Sequence, residues 1–267
     1  MLRTRGLTKQ FGGLTAVDEV DFALDDELCS LIGPNGAGKT TFFDLLTGAL
    51  EPTAGTIELG GKEDRRDVTS AAPNETAAAG LHRSYQITNV FPTSTVLENV
   101  RIAAQAHGSD SFKLWRNVGS FGEYTDEAYA ILERVGLAGA ADTVASTLSH
   151  GEKRQLEVAI ALAGDPDVLL LDEPNAGVSS ESVDEIIGLI DDVADDHAVL
   201  LVEHNMDIVM NVSERVVVLH QGSIIADGDP QTVRNDPAVQ EAYLGGYEPG
   251  ADGTHETNAT DSEGSAA

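Results

Sequence analysis

The sequence predicts an α/β fold: a mostly parallel sheet with an antiparallel β part, interrupted by an inserted helical subdomain. Three observations lead there. Short apolar runs alternate with helical patterns in a βα rhythm, one of these runs opens into a glycine-rich loop, and the middle third of the chain is largely helical. Strands buried on both faces of a parallel sheet read as unbroken apolar runs, whereas an antiparallel pair is marked by a tight turn.

Leu28-Cys29-Ser30-Leu31-Ile32 is the first apolar run, followed by a loop over residues 33–38 and a helix over residues 39–50. Val168-Leu169-Leu170-Leu171 and Val199-Leu200-Leu201-Val202 are two more, each bracketed by polar residues, which favours buried strand over helix. Between them Val183, Ile186, Ile187, Ile190 and Val193 recur at helical spacing and predict a helix that covers the sheet. Residues 216–219 and 223–226, separated by Gln221-Gly222, predict a hairpin. The helical insertion spans about residues 88–164, with an aromatic interruption carrying Phe112, Trp115, Phe121 and Tyr124, for which local packing is the favoured reading over an outward contact. Residues 247–267 are almost devoid of apolar side chains and predict a disordered acidic tail after a domain of residues 1–246.

The charge balance narrows the partners. The chain has 45 acidic and 16 basic residues, only 5 of them Lys, for a net charge of −29. Such a surface lacks the cations that neutralise phosphodiesters or anionic headgroups, so no nucleic acid is expected as a partner. It also repels itself, and the composition resembles that of salt-loving archaea, so stability is expected to fall at low salt. No run approaches the roughly 18 apolar residues of a membrane helix, and the first residues lack a signal-peptide core, so the chain is expected to stay in the cytoplasm. Cys29 is the single cysteine, in an apolar run, and reads as a small core residue.

Gly33-Pro34-Asn35-Gly36-Ala37-Gly38-Lys39-Thr40 fits the phosphate-loop pattern G-x-x-x-x-G-K-[ST] between a strand and a helix. Glycines let successive N–H groups turn inward onto phosphate oxygens, and the following helix adds the positive end of its dipole. Lys39 then neutralises the β- and γ-phosphates, Thr40 offers its hydroxyl to Mg²⁺ and Thr41 bonds a phosphate. Two further strands end in polar chemistry, at Asp172-Glu173-Pro174 and at Glu203-His204. Ligands of parallel α/β sheets sit beyond the carboxyl ends of strands. Asp172 is assigned to the metal and Glu173 to the attacking water as general base. A lone histidine is a structural residue more often than a functional one. The strand-end place of His204 favours γ-phosphate sensing. Leu148-Ser149-His150-Gly151-Glu152 precedes a helix over residues 153–163, with Ser149 as N-cap and Glu152 completing a capping box. A capped helix start with bare glycine N–H groups is at the same time an anion site.

The order of residues 33–40, Gln86, residues 148–152, Asp172-Glu173 and His204 resembles the ABC transporter ATPase family, a P-loop NTPase core, in its Walker A, Q-loop, signature, Walker B and switch-histidine elements. The resemblance covers roughly residues 1–246. It implies two subunits sandwiching two ATPs, with Ser149 and Gly151 reaching the γ-phosphate held by the opposite subunit. It also implies that Phe11 stacks on adenine, that Val17 lies near the ribose, and that Gln86 ligates Mg²⁺ and senses a permease. LSHGEKRQLEVA, EHNMD and the closing AYLG look like the ATPases of branched-chain amino acid importers with the longer helical insert. Importers of urea and other amides share much of this pattern. A non-transport ABC switch would call for tandem ATPase domains and basic patches. The implied partners are a second ABC ATPase subunit (a heterodimer preferred, a homodimer possible), transmembrane permease subunits gripped near residues 87–98 and, indirectly, an extracellular solute-binding protein. Held so, the chain would sit at the cytoplasmic face of the membrane. His150 replaces a glycine of the general signature, and Ser179-Ser180 stands where these importers have Asn-Pro.

Overall fold

A computed structural model describes residues 1–84, 90–107, 120–176 and 180–244. Strands β1 (Leu2–Phe11), β2 (Leu14–Leu24), β4 (Ala54–Leu59) and β5 (Arg66–Asp67) form an antiparallel sheet in the order β2-β1-β4-β5. Strands β3 (Leu28–Ile32), β6 (Leu81–Ser84), β7 (Val168–Asp172), β8 (Ala198–Val202), β9 (Arg215–His220) and β10 (Ser223–Gly228) form a second sheet in the order β10-β9-β3-β8-β7-β6. Its neighbours run parallel except β10, which returns antiparallel along β9. The helices are α1 (Lys39–Leu46), α2 (Pro73–Ala78), α3 (Val96–His107), α4 (Ser120–Arg134), α5 (His150–Leu162), α6 (Ser180–Ala194), α7 (Met206–Val212), α8 (Pro230–Arg234) and α9 (Pro237–Leu244).

The apolar runs are continuous because both faces of the parallel sheet are covered. On β7, Leu169 and Leu171 pack with α3 to α6, whereas Val168 and Leu170 pack on the opposite face with Phe42 and Phe43 of α1 and the antiparallel sheet. All four are fully buried, so Leu170→Ala would cost about 2–5 kcal/mol. The same alternation on β8 sends Val199 and Leu201 one way and Leu200 and Val202 the other. Val96 and Val100 of α3, Leu132 of α4 and Leu156 of α5 share one apolar cluster with Leu169 and Ile190. Among the described residues, the helical insert therefore shares the sheet's core.

Some boundaries differ from the sequence reading. Helix α1 stops at Leu46 and does not reach residue 50, because Gly48 takes a left-handed conformation (φ 71°) just past the Thr47 cap. Helix α5 starts at His150, directly after its Ser149 cap, and not at residue 153. The antiparallel part is larger than the C-terminal hairpin, since β1, β2, β4 and β5 make a sheet of their own. The hairpin itself turns on Gln221 (φ 49°) and Gly222 (φ 85°), the positive pair of a two-residue turn. Tyr124 packs half-buried on the helical cluster. Phe112, Trp115, the Phe121 side chain, Gln86, Ser179 and the tail of residues 247–267 lie outside the described residues.

Candidate nucleotide site

The loop between β3 and α1 is shaped by its surroundings. A Cβ on Gly33 would lie 2.1 Å from the Leu219 carbonyl oxygen, and one on Gly38 (φ 107°) would lie 2.3 Å from that of Ala16. Only glycine lets the backbone pass so close. The hairpin turn buttresses the loop from outside: the Gly222 N–H donates to the Ala37 carbonyl at 2.9 Å, and the Gly222 carbonyl accepts from the Asp18 N–H at 2.9 Å.

Asn35, Gly36, Ala37, Gly38, Lys39, Thr40 and Thr41 line a cleft of about 720 Å³, a volume suited to a nucleotide. Phe11, Leu14, Thr15 and Ala16 wall one side, and Glu173, His204 and the hairpin turn close the others. Phe11 is 46% exposed at the lip, with the Lys9 ammonium 5.2 Å from its ring centroid. Val17 is not brought to the cleft: its side chain is fully buried in the core beneath the antiparallel sheet, and Thr15 and Ala16 provide the wall there. Gly33 and Pro34 form the base of the loop, where their carbonyls accept from the Lys39 ammonium at 2.6 and 3.2 Å. Burial lowers the Lys39 pKa, opposed by the nearby charges of Glu173 and Asp172.

Strand pairing brings Asp172 and Glu173, at the end of β7, beside Val202 at the end of β8. Glu173 has φ 49°, a strained conformation for a residue with a side chain, and its N–H donates to the Val202 carbonyl at 2.9 Å. That bend turns the carboxylate towards the next strand end, where Glu173 Oε1 and His204 Nε2 form a 2.6 Å hydrogen bond. Buried Glu203 braces the junction, accepting from the Asn175 N–H (3.2 Å), the Asn175 side-chain amide (3.1 Å) and the His204 N–H (3.1 Å). Asp172 accepts from Arg83 Nη2 at 2.5 Å.

Thr40 and Asp172 have the donor chemistry that Mg²⁺ prefers; Thr40 lines the cleft, and Asp172 stands behind its wall at the end of β7. The Thr40 hydroxyl and the Asp172 carboxylate are hard oxygen ligands, and Mg²⁺ is commonly held by one or two such groups plus substrate phosphates. Ser149 and Gly151 are absent from the cleft wall and stand at the start of α5. There Ser149 Oγ accepts from the Glu152 N–H (3.3 Å), and Glu152 Oε2 accepts from the Ser149 N–H (2.8 Å).

Sequence reasoning missed Thr15 and Gln221 in the cleft wall, and gave no role to Arg83 or Glu203. Arg83 left one signal, a cation in a four-residue strand three positions before Gln86 in a chain with 16 basic residues against 45 acidic ones. Glu203 left another, a carboxylate directly after a fully buried strand.

A glycine-wrapped phosphate loop facing a carboxylate–histidine pair at adjacent strand ends is the arrangement of an ATP-hydrolysing cassette. The chain belongs to the ABC transporter family, whose model matches residues 17–176. Residues 223–249 match a second family, described as branched-chain amino acid ATP-binding cassette transporter. Over 255 residues the chain is 40% identical to the high-affinity branched-chain amino acid transport ATP-binding protein LivG of Salmonella typhimurium, covering 92% of this chain and 98% of that one. Over 253 residues it is 38% identical to the corresponding protein BraF of Pseudomonas aeruginosa, with the same coverage. It is also similar to the crystal structure of a nucleotide-free ATP-binding cassette from an ABC transporter, with a TM-score of 0.78, 30% identity and 91% and 98% of the two chains covered. The chain is thus a nucleotide-binding transport ATPase. Among its described residues no helix is long and apolar enough to cross a membrane.

Proposed function

We propose that this chain is the ATP-hydrolysing motor of an importer for branched-chain amino acids. The pairing of Glu173 with His204 at the mouth of the phosphate-loop cleft carries the hydrolytic reading. The C-terminal family match and the named relatives support the solute class. Lys39 meets the β- and γ-phosphates, and the loop N–H groups hold their oxygens. Bound Mg²⁺, held by Thr40, Asp172 and Gln86, would neutralise charge on the same oxygens. Glu173 takes the proton of the attacking water as general base, and His204 fixes that carboxylate while facing the γ-phosphate. Ser149 and Gly151 are free of their own subunit's cleft, which suits contact with an ATP held by a second subunit. A different partner ATPase is our expectation, with membrane attachment at the cytoplasmic face through permease subunits.

Co-expression with candidate permeases tests this reading. Co-purification in detergent and ATPase activity raised by a binding protein loaded with leucine, isoleucine or valine are expected. Stimulation by urea-loaded but not leucine-loaded binding protein would overturn the solute class. Failure to bind any permease would overturn the importer.

A further inference from the structure

We propose that Arg83 is a positioning residue for the magnesium site, setting the spacing between Thr40 and Asp172. This inference rests on the Mg²⁺-dependent hydrolysis proposed above. The Arg83 side chain is only 7% exposed, and its guanidinium forks between two elements. Nη1 donates to Asp44 Oδ1 on α1 at 2.6 Å, and Nη2 donates to Asp172 Oδ2 at the end of β7 at 2.5 Å. Its central carbon lies 5.4 Å from the ring centroid of fully buried Phe43, so the fork has a floor as well as two arms.

The positions of the two arms make this a device for the metal. Thr40 and Asp44 stand four residues apart on α1, and residues at that spacing share one helix face. Asp44 therefore reports the position of the turn that carries the Thr40 hydroxyl, and Asp172 is the metal carboxylate itself. One planar cation ties the helix bearing the first oxygen donor to the strand bearing the second. With Oδ2 committed to Nη2, the Asp172 carboxylate cannot rotate freely and presents Oδ1 in a fixed direction. Hydrogen-bonded partners behind a metal ligand orient it, and losing one typically weakens the metal site about 10–100-fold. Lysine keeps the charge but cannot reach both carboxylates with a planar fork.

The test uses the full chain carrying Arg83→Lys, Arg83→Met or Asp44→Asn, with calorimetric ATP binding measured in Mg²⁺ and in EDTA, alongside the Mg²⁺ concentration for half-maximal hydrolysis. All three variants should raise that Mg²⁺ concentration, Arg83→Met by about tenfold or more and Asp44→Asn by less. ATP affinity in EDTA should stay within about twofold of the parent, so the loss appears only in the metal-dependent part of binding. Removing one member of a buried ion pair can unfold a protein. If Arg83→Met does not fold, Arg83→Lys and Asp44→Asn decide the matter. An unchanged Mg²⁺ requirement in folded variants would overturn the inference while leaving the hydrolytic reading intact, as would an equal loss of ATP affinity with and without metal. A parent chain whose ATP binding and hydrolysis ignore Mg²⁺ would overturn both.

Discussion

Glu173 and His204, 31 residues apart in the chain, meet in a 2.6 Å hydrogen bond at the ends of adjacent parallel strands. The bond joins the assigned base to the assigned phosphate sensor, so the two should act as one unit. Glu173→Gln is expected to bind ATP normally and lose about 10²–10⁴ in turnover. His204→Ala should lower kcat with little change in ATP affinity. The double variant should be no slower than Glu173→Gln alone, since residues acting together are not additive. Single-turnover ATPase assays check this, and fully additive losses would show that the two act separately.

Ser149 caps α5, and substitution can separate that role from the contact proposed for it with an ATP on a second subunit. Its hydroxyl caps α5, so Ser149→Ala should lose about 1 kcal/mol of stability along with ATPase activity. Ser149→Asp keeps a capping oxygen and should regain the stability, yet stay inactive because a carboxylate would face the γ-phosphate of the opposite subunit. Denaturation and turnover measured on the same preparations distinguish the cap from the proposed contact. The hydrogen bonds from Ser149 also hold the Glu152 pKa below its ordinary value. A depressed carboxylate stabilises the fold above its unfolded pKa, and that contribution is lost as pH falls through the folded value. Ser149→Ala should therefore narrow its stability gap to the parent in acid.

Cys29 offers a test at high pH. Burial pushes its thiol from 9.0 up to about 12, with Arg215 acting in the opposite direction. The folded chain thus holds a proton that the unfolded chain releases. The resulting stability is complete below the unfolded pKa and is lost as pH rises towards about 12. A thiol reagent at pH 8 should leave the native chain unlabelled and add one group per chain in denaturant. Rapid labelling of the native chain would contradict the burial of Cys29.

Net charge gives the last expectation. The chain's net charge of −29 makes it repel itself, and roughly 1 M salt shortens the Debye length to about 3 Å. The melting temperature should rise steadily from low salt towards molar KCl. A Tm independent of salt would mean that the acidic surface does not limit stability.

Much of the nucleotide site could be read in the sequence because local chemistry fixes it. Gly33 and Gly38 stand in one contiguous loop that runs into Lys39 and Thr40 at the start of α1, and the strands ending at Asp172 and Val202 contain the apolar runs read from the sequence with ends within one residue. The Ser149–Glu152 capping box spans four consecutive positions, and it forms as the spacing predicts. The sheet formed by β1, β2, β4 and β5 was less legible. Its pairs depend on partners such as Leu2 with Leu59, 57 residues away, and its strands mix polar and apolar side chains with several register shifts.

The sequence by itself determined the glycine-rich loop that starts at Gly33 and the placement of Asp172, Glu173 and His204 at or just past strand ends. Tertiary structure alone decided that Val17 turns into the core and that Glu203 braces the Glu173–His204 junction. It likewise decided that Arg83 bridges Asp44 and Asp172, residues 39 and 89 positions away. The physical reason is one of range. Loops, caps and buried runs follow from neighbouring residues, whereas a buried guanidinium finds its carboxylates only after the sheet order has placed β6 beside β7 and α1 above them both.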